Sequence, residues 1–278
     1  MLVFLNNKIL SHEEIAISPF DRGYQFSDGV YEVIRYYPEK FFKLSAHISR
    51  LKYSLREMEI SEPDLQNLES VLYELVNRNN LTNEPSIAYM QITRGKQFPR
   101  RHIYDENIEP TLFIYVEKFP VKIDDMKNGI KVGLENDIRW HRCDIKTIAL
   151  IPNVLSKSRA VKSGLTEIVW YRDGIVTEGT QTNIFFVKDK TLVTTPLSTN
   201  ILAGITRATV IELASSLSIP CIERKVNIKE LYDFDESFLA STTSEVMPVI
   251  KIDEKKIGSG LPGQITKLLQ SGYRKLYL

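Results

Sequence analysis

The sequence predicts an α+β protein of two domains, the first mixing helices and strands and the second larger and rich in β-structure. Three observations carry this. The 278 residues exceed the roughly 100 to 200 of a typical domain. The first half switches between helical and strand-like apolar periods, whereas the second is dominated by short apolar runs, several joined by Asp-Gly or Asp-Lys turns. Between them KFPVKIDDMKNG, around Lys118 to Gly129, breaks the periodicity with Pro, Gly and charge, as a linker does. The expected division is residues 1–118, a linker over 119–129, and 130–278.

In chain order, Leu2 to Leu10 reads as two strands around Asn6-Asn7, because Asn tolerates the left-handed backbone of a tight hairpin turn. Val30 to Tyr37 has strand composition. Leu44, Ile48, Leu51, Leu55 and Met58 recur at steps of three and four, the apolar stripe of a helix that Ser45 would cap; His47, Arg50 and Ser54 share a second face. A further helix fits Leu65 to Asn79, and strands fit Ile87 to Thr93 and Thr111 to Val116. Beyond the linker, strands are expected over Ile130–Leu134, Glu167–Tyr171, Asn183–Val187, Leu192–Thr195, Ser237–Ala240 and Val249–Ile252, with helices over Asn153–Lys162, Thr206–Leu217 and Gly263–Leu276. There is no internal repeat, and no regular strand–helix alternation with a GxGxxG to support a dinucleotide fold.

Composition narrows the function classes. With 36 Lys+Arg against 35 Asp+Glu the formal net charge is +1, so no global field favours nucleic acid or an anionic membrane, and any bound anion must be held locally. No run of about 18 apolar residues would span a bilayer, and the N-terminus lacks the layout of a secretion signal. The two cysteines, Cys143 and Cys221, mark neither a disulfide framework nor a metal spacing, which points to a reduced cytoplasmic setting and no metal.

Four segments carry groups suited to chemistry. Asp137-Ile-Arg-Trp-His-Arg-Cys-Asp-Ile-Lys146 ends on a lysine between Ile145 and Ile148-Ala149-Leu150. Such a lysine either snorkels to solvent or is desolvated enough to act as a nucleophile or general base. Ile175-Val-Thr-Glu-Gly-Thr-Gln-Thr-Asn183 places Glu178 before a glycine and a row of hydroxyl and amide groups; the acid could hold a buried cation, or merely end a strand. Leu202-Ala-Gly-Ile-Thr-Arg207 leads into a helix whose first N–H groups and Thr206 hydroxyl suit a phosphate, or a plain threonine cap. Ser241-Thr-Thr-Ser-Glu245 adds hydroxyls after a strand end, a cluster also found in ordinary turns.

Together a reactive lysine, a buried acid, two hydroxyl clusters and an arginine on a helix flank are what pyridoxal phosphate requires of a protein. The chain resembles the fold type IV pyridoxal-phosphate enzymes, the class IV aminotransferases, a group that holds D-amino acid aminotransferase, branched-chain aminotransferase and aminodeoxychorismate lyase. Six ordered blocks carry the likeness: Asp21 to Val33, His47 to Leu51, Asp137 to Lys146, Val176 to Gly179, Leu202 to Arg207 and Ser241 to Val249. Within the group it resembles most the bacterial D-amino acid aminotransferases.

The resemblance implies a barrel-like C-terminal domain, an active site in the cleft between domains completed across a homodimer interface, and ping-pong transfer between a D-amino acid such as D-alanine and a 2-oxo acid. By it, Lys146 holds the cofactor covalently and moves the Cα proton, while Glu178 pairs with the pyridine nitrogen. Arg50, the backbone of Ile205 and Thr206 behind Leu202, and the Thr242 hydroxyl bind the phosphate, with Arg139 near the phenolic oxygen. Tyr31, Arg100 and His102 bind the substrate carboxylate, the last two from the neighbouring subunit. One departure stands out, since Lys96-Gln97-Phe98 lengthens the loop before Pro99-Arg100-Arg101-His102 and leaves open which arginine points inward. The alternatives are aminodeoxychorismate lyase and branched-chain aminotransferase.

Overall fold

The computed structural model describes residues 1–278, and they divide into two compact units: Met1–Pro120 with Ile145–Ala149, and Val121–Asp144 with Leu150–Leu278.

The first unit is an antiparallel six-stranded sheet in the order β2-β1-β6-β5-β3-β4. Strands β1 (Leu2–Leu5) and β2 (Lys8–Ser11) form the expected hairpin, with Asn6 and Asn7 at φ of 44° and 69°, the left-handed pair that matches the strand twist. A short helix α1 (Arg22–Phe26), capped by the Asp21 side chain, precedes β3 (Gly29–Tyr37) and β4 (Lys40–Phe41). Next come α2 (Leu44–Glu57), α3 (Leu68–Arg78), β5 (Ser86–Thr93) and β6 (Thr111–Lys118). The apolar stripe of α2 packs as its period requires: Leu51 and Leu55 join Val30, Ile34 and Tyr36 of β3 and Leu72 and Leu75 of α3 in one core. Each such leucine contributes about 1.5 to 3 kcal/mol by leaving water. Glu32 lies on the same face of β3 as Val30 and Ile34, so its carboxylate is carried into this core at 0% exposure.

Two expectations fail here for local reasons. Ser45 does not cap α2; Lys43, in left-handed conformation at φ 54°, precedes the helix, and Ser45 lies inside its first turn. Helix α3 begins at Leu68 rather than Leu65, after a turn closed by the Asp64 carboxylate on the Gln66 N–H.

The second unit begins with α4 (Ile123–Asn128) inside the expected linker, then β7 (Ile130–Asn136), α5 (Ile151–Lys162), β8 (Glu167–Arg172), β9 (Ile175–Gly179), β10 (Asn183–Lys188) and β11 (Thr191–Thr194). It continues with α6 (Ile205–Ser216), β12 (Cys221–Glu223), β13 (Glu236–Ser241), β14 (Glu245–Ile252), β15 (Lys255–Lys256) and α7 (Gln264–Lys275). Its nine-stranded sheet runs β12-β11-β10-β13-β14-β7-β8-β9, with β15 on β14. The sheet curls in the barrel-like manner: Val176 of β9, at one end of that order, accepts a hydrogen bond from Thr195 Oγ1, just past β11 near the other end, at 3.2 Å. Val176, Phe186, Val193, Leu239 and Met247 fill the interior.

Residues 145–149 fall within the expected second domain, yet they pack with the first unit. Ile145 belongs to the first unit's core, Val30 and Thr147 form an isolated β-bridge, and Tyr31 N donates to Lys146 O at 2.9 Å. An apolar residue matched to the nearest core outweighs its place in the chain. Both cysteines are free, and no helix is long and apolar enough to cross a membrane.

Candidate active site

In the first unit the sequence-predicted residues Lys146, Tyr31 and Arg50 gather around the start of β3 and the second face of α2. The Lys146 N–H donates to Ser54 Oγ at 3.2 Å, and the half-buried Lys146 Nζ stands 4.2 Å from the centre of the Tyr31 ring. The Tyr31 ring in turn stacks on Tyr89 at 5.7 Å. Because 47, 50 and 54 share a helix face, His47 and Arg50 turn toward Glu32 of β3 while Ser54 beside them meets the Lys146 segment. Arg50 Nε and Nη2 donate to the two oxygens of Glu32 at 2.9 and 2.6 Å, and His47 Nδ1 lies 3.1 Å from Glu32 Oε1. Burial alone would raise the Glu32 carboxyl, but Arg50 and His47 outweigh it and hold it well below the usual carboxylate range. Burial pushes His47 down, against the pull of Glu32, so the imidazole stays neutral near pH 7.

Arg100 and His102 lie on an exposed loop of this unit beside α1. The Arg100 guanidinium sits 4.2 Å from the centre of the Phe26 ring, and the His102 ring lies 5.5 Å from it.

In the second unit, Glu178 at the end of β9 is 4% exposed. Its Oε1 accepts from Arg139 Nη1 at 2.7 Å, and its Oε2 accepts from Asn183 Nδ2 and the Leu202 N–H, both at 3.0 Å. A carboxylate has about four acceptor positions, so three bonds leave one on Oε1 for a further donor. Arg139 is shared: its Nε and Nη2 also bind Asp137, at 3.0 and 2.9 Å, while its face lies 4.3 Å over Trp170. Burial pushes the Glu178 carboxyl up, and the divided Arg139 offsets this only in part. Asn183 ties the cluster together, since its amide also donates to Leu202 O at 3.0 Å and its backbone pairs with Ala240 of β13, two residues before Thr242.

The start of α6 is built against the same residue. A Cβ on Gly204 would lie 2.0 Å from Asn183 Oδ1, so only glycine permits the approach. Gly204 rather than Thr206 precedes the helix, no side chain caps it, and the first-turn N–H groups of Ile205 and Thr206 are left for another acceptor. Thr242 lies in the tight turn between β13 and β14, where Ser241 Oγ accepts from the Ser244 N–H at 3.1 Å.

Sequence reading missed Glu32, Asp137 and Asn183 as members of these clusters. All three stand in segments it had singled out, but nothing in a strand's alternation says which acid will meet which arginine. Cys143 is buried, its Sγ donating to Trp140 O at 3.2 Å, and burial pushes its thiol up to about 11, which suits a packing residue rather than a reactive thiol.

Residues 29–252 match the amino-transferase class IV family. The chain is 40% identical to the D-alanine aminotransferase of Bacillus licheniformis, covering 100% of this chain and 98% of that one, and 37% identical to that of Staphylococcus haemolyticus, covering 98% and 96%. Its fold is similar to that of the Escherichia coli branched-chain amino acid aminotransferase, with a TM-score of 0.92 at 23% identity over 99% of this chain and 94% of that one. A family match from the start of β3 to the end of β14, with full-length relatives of that identity, means that this chain belongs to the class IV aminotransferases.

Proposed function

We propose that this enzyme moves the amino group of a D-amino acid, such as D-alanine, to a 2-oxo acid in two ping-pong half-reactions, using pyridoxal phosphate. Relatives named D-alanine aminotransferase, similar over the whole chain, support the substrate class. The observation that carries the cofactor is the buried Glu178, with one acceptor position left beside three bonds that fix its carboxylate.

Pyridoxal phosphate supplies an electron sink for the carbanion left when the substrate loses its Cα proton. Lys146 anchors the cofactor and carries that proton away from and back to the substrate. Glu178 keeps the pyridine nitrogen protonated by accepting its N–H, and Arg139 with Asn183 holds the carboxylate in place. Arg50, the Ile205 and Thr206 N–H groups and the Thr242 hydroxyl bind the phosphate, a dianion suited to an arginine and a helix start. Tyr31, Arg100 and His102 bind the substrate α-carboxylate. The reading further includes a homodimer that supplies Arg100 and His102 in trans, and a cytoplasmic setting.

An amine-donor screen tests it. D-alanine with 2-oxoglutarate should react, whereas turnover of L-leucine with 2-oxoglutarate, or cleavage of aminodeoxychorismate, without D-alanine activity would overturn the substrate. Borohydride reduction of the holoenzyme followed by peptide mapping should label Lys146, and a label on Lys157 or Lys162 would sink its assignment.

A further inference from the structure

We propose that Arg22 is a positioning residue for substrate carboxylate binding: from α1 it holds the backbone of Arg101 and His102 and so sets where the Arg100 and His102 side chains stand. The inference rests on the reading above that those two side chains bind the α-carboxylate. Arg22 is 5% exposed, and its donors are spread over the loop. Nη1 donates to Arg101 O at 2.7 Å and to Gln97 Oε1 at 3.0 Å, and Nη2 donates to His102 O at 3.2 Å. Nε anchors the fork on Asp28 at 2.8 Å, a carboxylate that Arg94 shares from the end of β5. The lengthened loop is part of the same brace, since Gln97 Nε2 donates to Ile103 O at 3.1 Å and closes the loop on itself. Phe26, one turn along α1, supports the Arg100 guanidinium from below at 4.2 Å. A planar guanidinium reaches two carbonyls, an amide and an anchoring acid together; a lysine has a single ammonium and cannot.

The test uses holoenzyme carrying Arg22→Lys, with Gln97→Ala as a milder variant on the solvent side should the first fail to fold. Arg22→Lys should raise the KM for D-alanine about tenfold and leave kcat within about threefold, with Gln97→Ala moving the same way by less. The half-reaction with ethylamine, an amine that has no carboxylate, should be unchanged. Added to Arg100→Ala with His102→Ala, Arg22→Lys should cost nothing further. In the cofactor-free chain the backbone N–H groups of Phe98 and of 100–103 should exchange faster in Arg22→Lys. An unchanged D-alanine KM in both variants, or an equal loss with ethylamine, overturns the proposal. If Arg100→Ala with His102→Ala leaves the D-alanine KM unaltered, the carboxylate reading itself falls and this inference falls with it.

Discussion

Glu32 and Glu178 are both buried glutamates paired with an arginine, yet their proton affinities move in opposite directions. Glu32 has Arg50 through two nitrogens, His47 beside it and the Val33 N–H on Oε1 at 3.0 Å, and is held well below the usual carboxylate range. Glu178 has one nitrogen of an arginine whose other two bind Asp137, and burial pushes it up. The number of positive donors committed to each carboxylate separates them, not the residue type. Glu32 has its charge matched by both Arg50 nitrogens and serves to orient Arg50 and His47; Glu178 is left short of positive charge, the condition under which a cationic N–H from a bound ring gains most.

The largest effect should come from breaking the matched pair. Glu32→Ala leaves Arg50 and His47 buried without their shared acceptor, a change that costs about 3 to 5 kcal/mol for a buried ion pair. Urea unfolding should show it as a lower midpoint, and a loss under about 1 kcal/mol would mean the pair contributes little. Glu178→Gln should spare stability by comparison, because Arg139 keeps both of its bonds to Asp137. Its effect belongs in the half-reactions, at roughly 1.4 kcal/mol for each pKa unit lost at the ring nitrogen, or about tenfold in rate. Wild-type single-turnover kinetics in that variant would make the acid purely structural.

Ser54→Ala should be smaller, about 0.5 to 1.5 kcal/mol, since it removes a single acceptor from the Lys146 N–H. Equilibrium unfolding measures it, and an unchanged midpoint would show that the bridge of Val30 to Thr147 holds the lysine segment without it.

The finest distinction is in pH. Glu32 is depressed below the ordinary glutamate value of 4.5, so its stabilisation is complete above that value and is lost as pH falls toward its folded-state value. His47, depressed below 6.5, acts in the same direction: from pH 6.5 downward the unfolded chain takes up a proton that the fold declines. Glu178 is raised above 4.5, so its contribution is complete below 4.5 and is lost as pH rises through the folded value. Unfolding midpoints of cofactor-free wild type, Glu32→Gln and Glu178→Gln between pH 3 and 7 should therefore give differences from wild type with opposite slopes. Parallel slopes would erase the distinction between the two acids.

What the sequence determined alone is whatever follows from neighbours a few residues apart. Asn6-Asn7 specifies a hairpin, steps of three and four place Leu51 and Leu55 on one side of α2 with His47, Arg50 and Ser54 together, and alternation sets the faces of β3. The six blocks also brought Lys146, Glu178 and the α6 start to notice, because each is a local string. The structure alone decided matters between distant residues. It paired Glu32 with Arg50 across 18 positions and Arg139 with Glu178 across 39, and it drew Ile145–Ala149 into the first unit. Periodicity tells which face a side chain shares but not what that face meets. In a low-dielectric interior the choice of partner, more than the residue itself, sets whether a carboxylate keeps its charge.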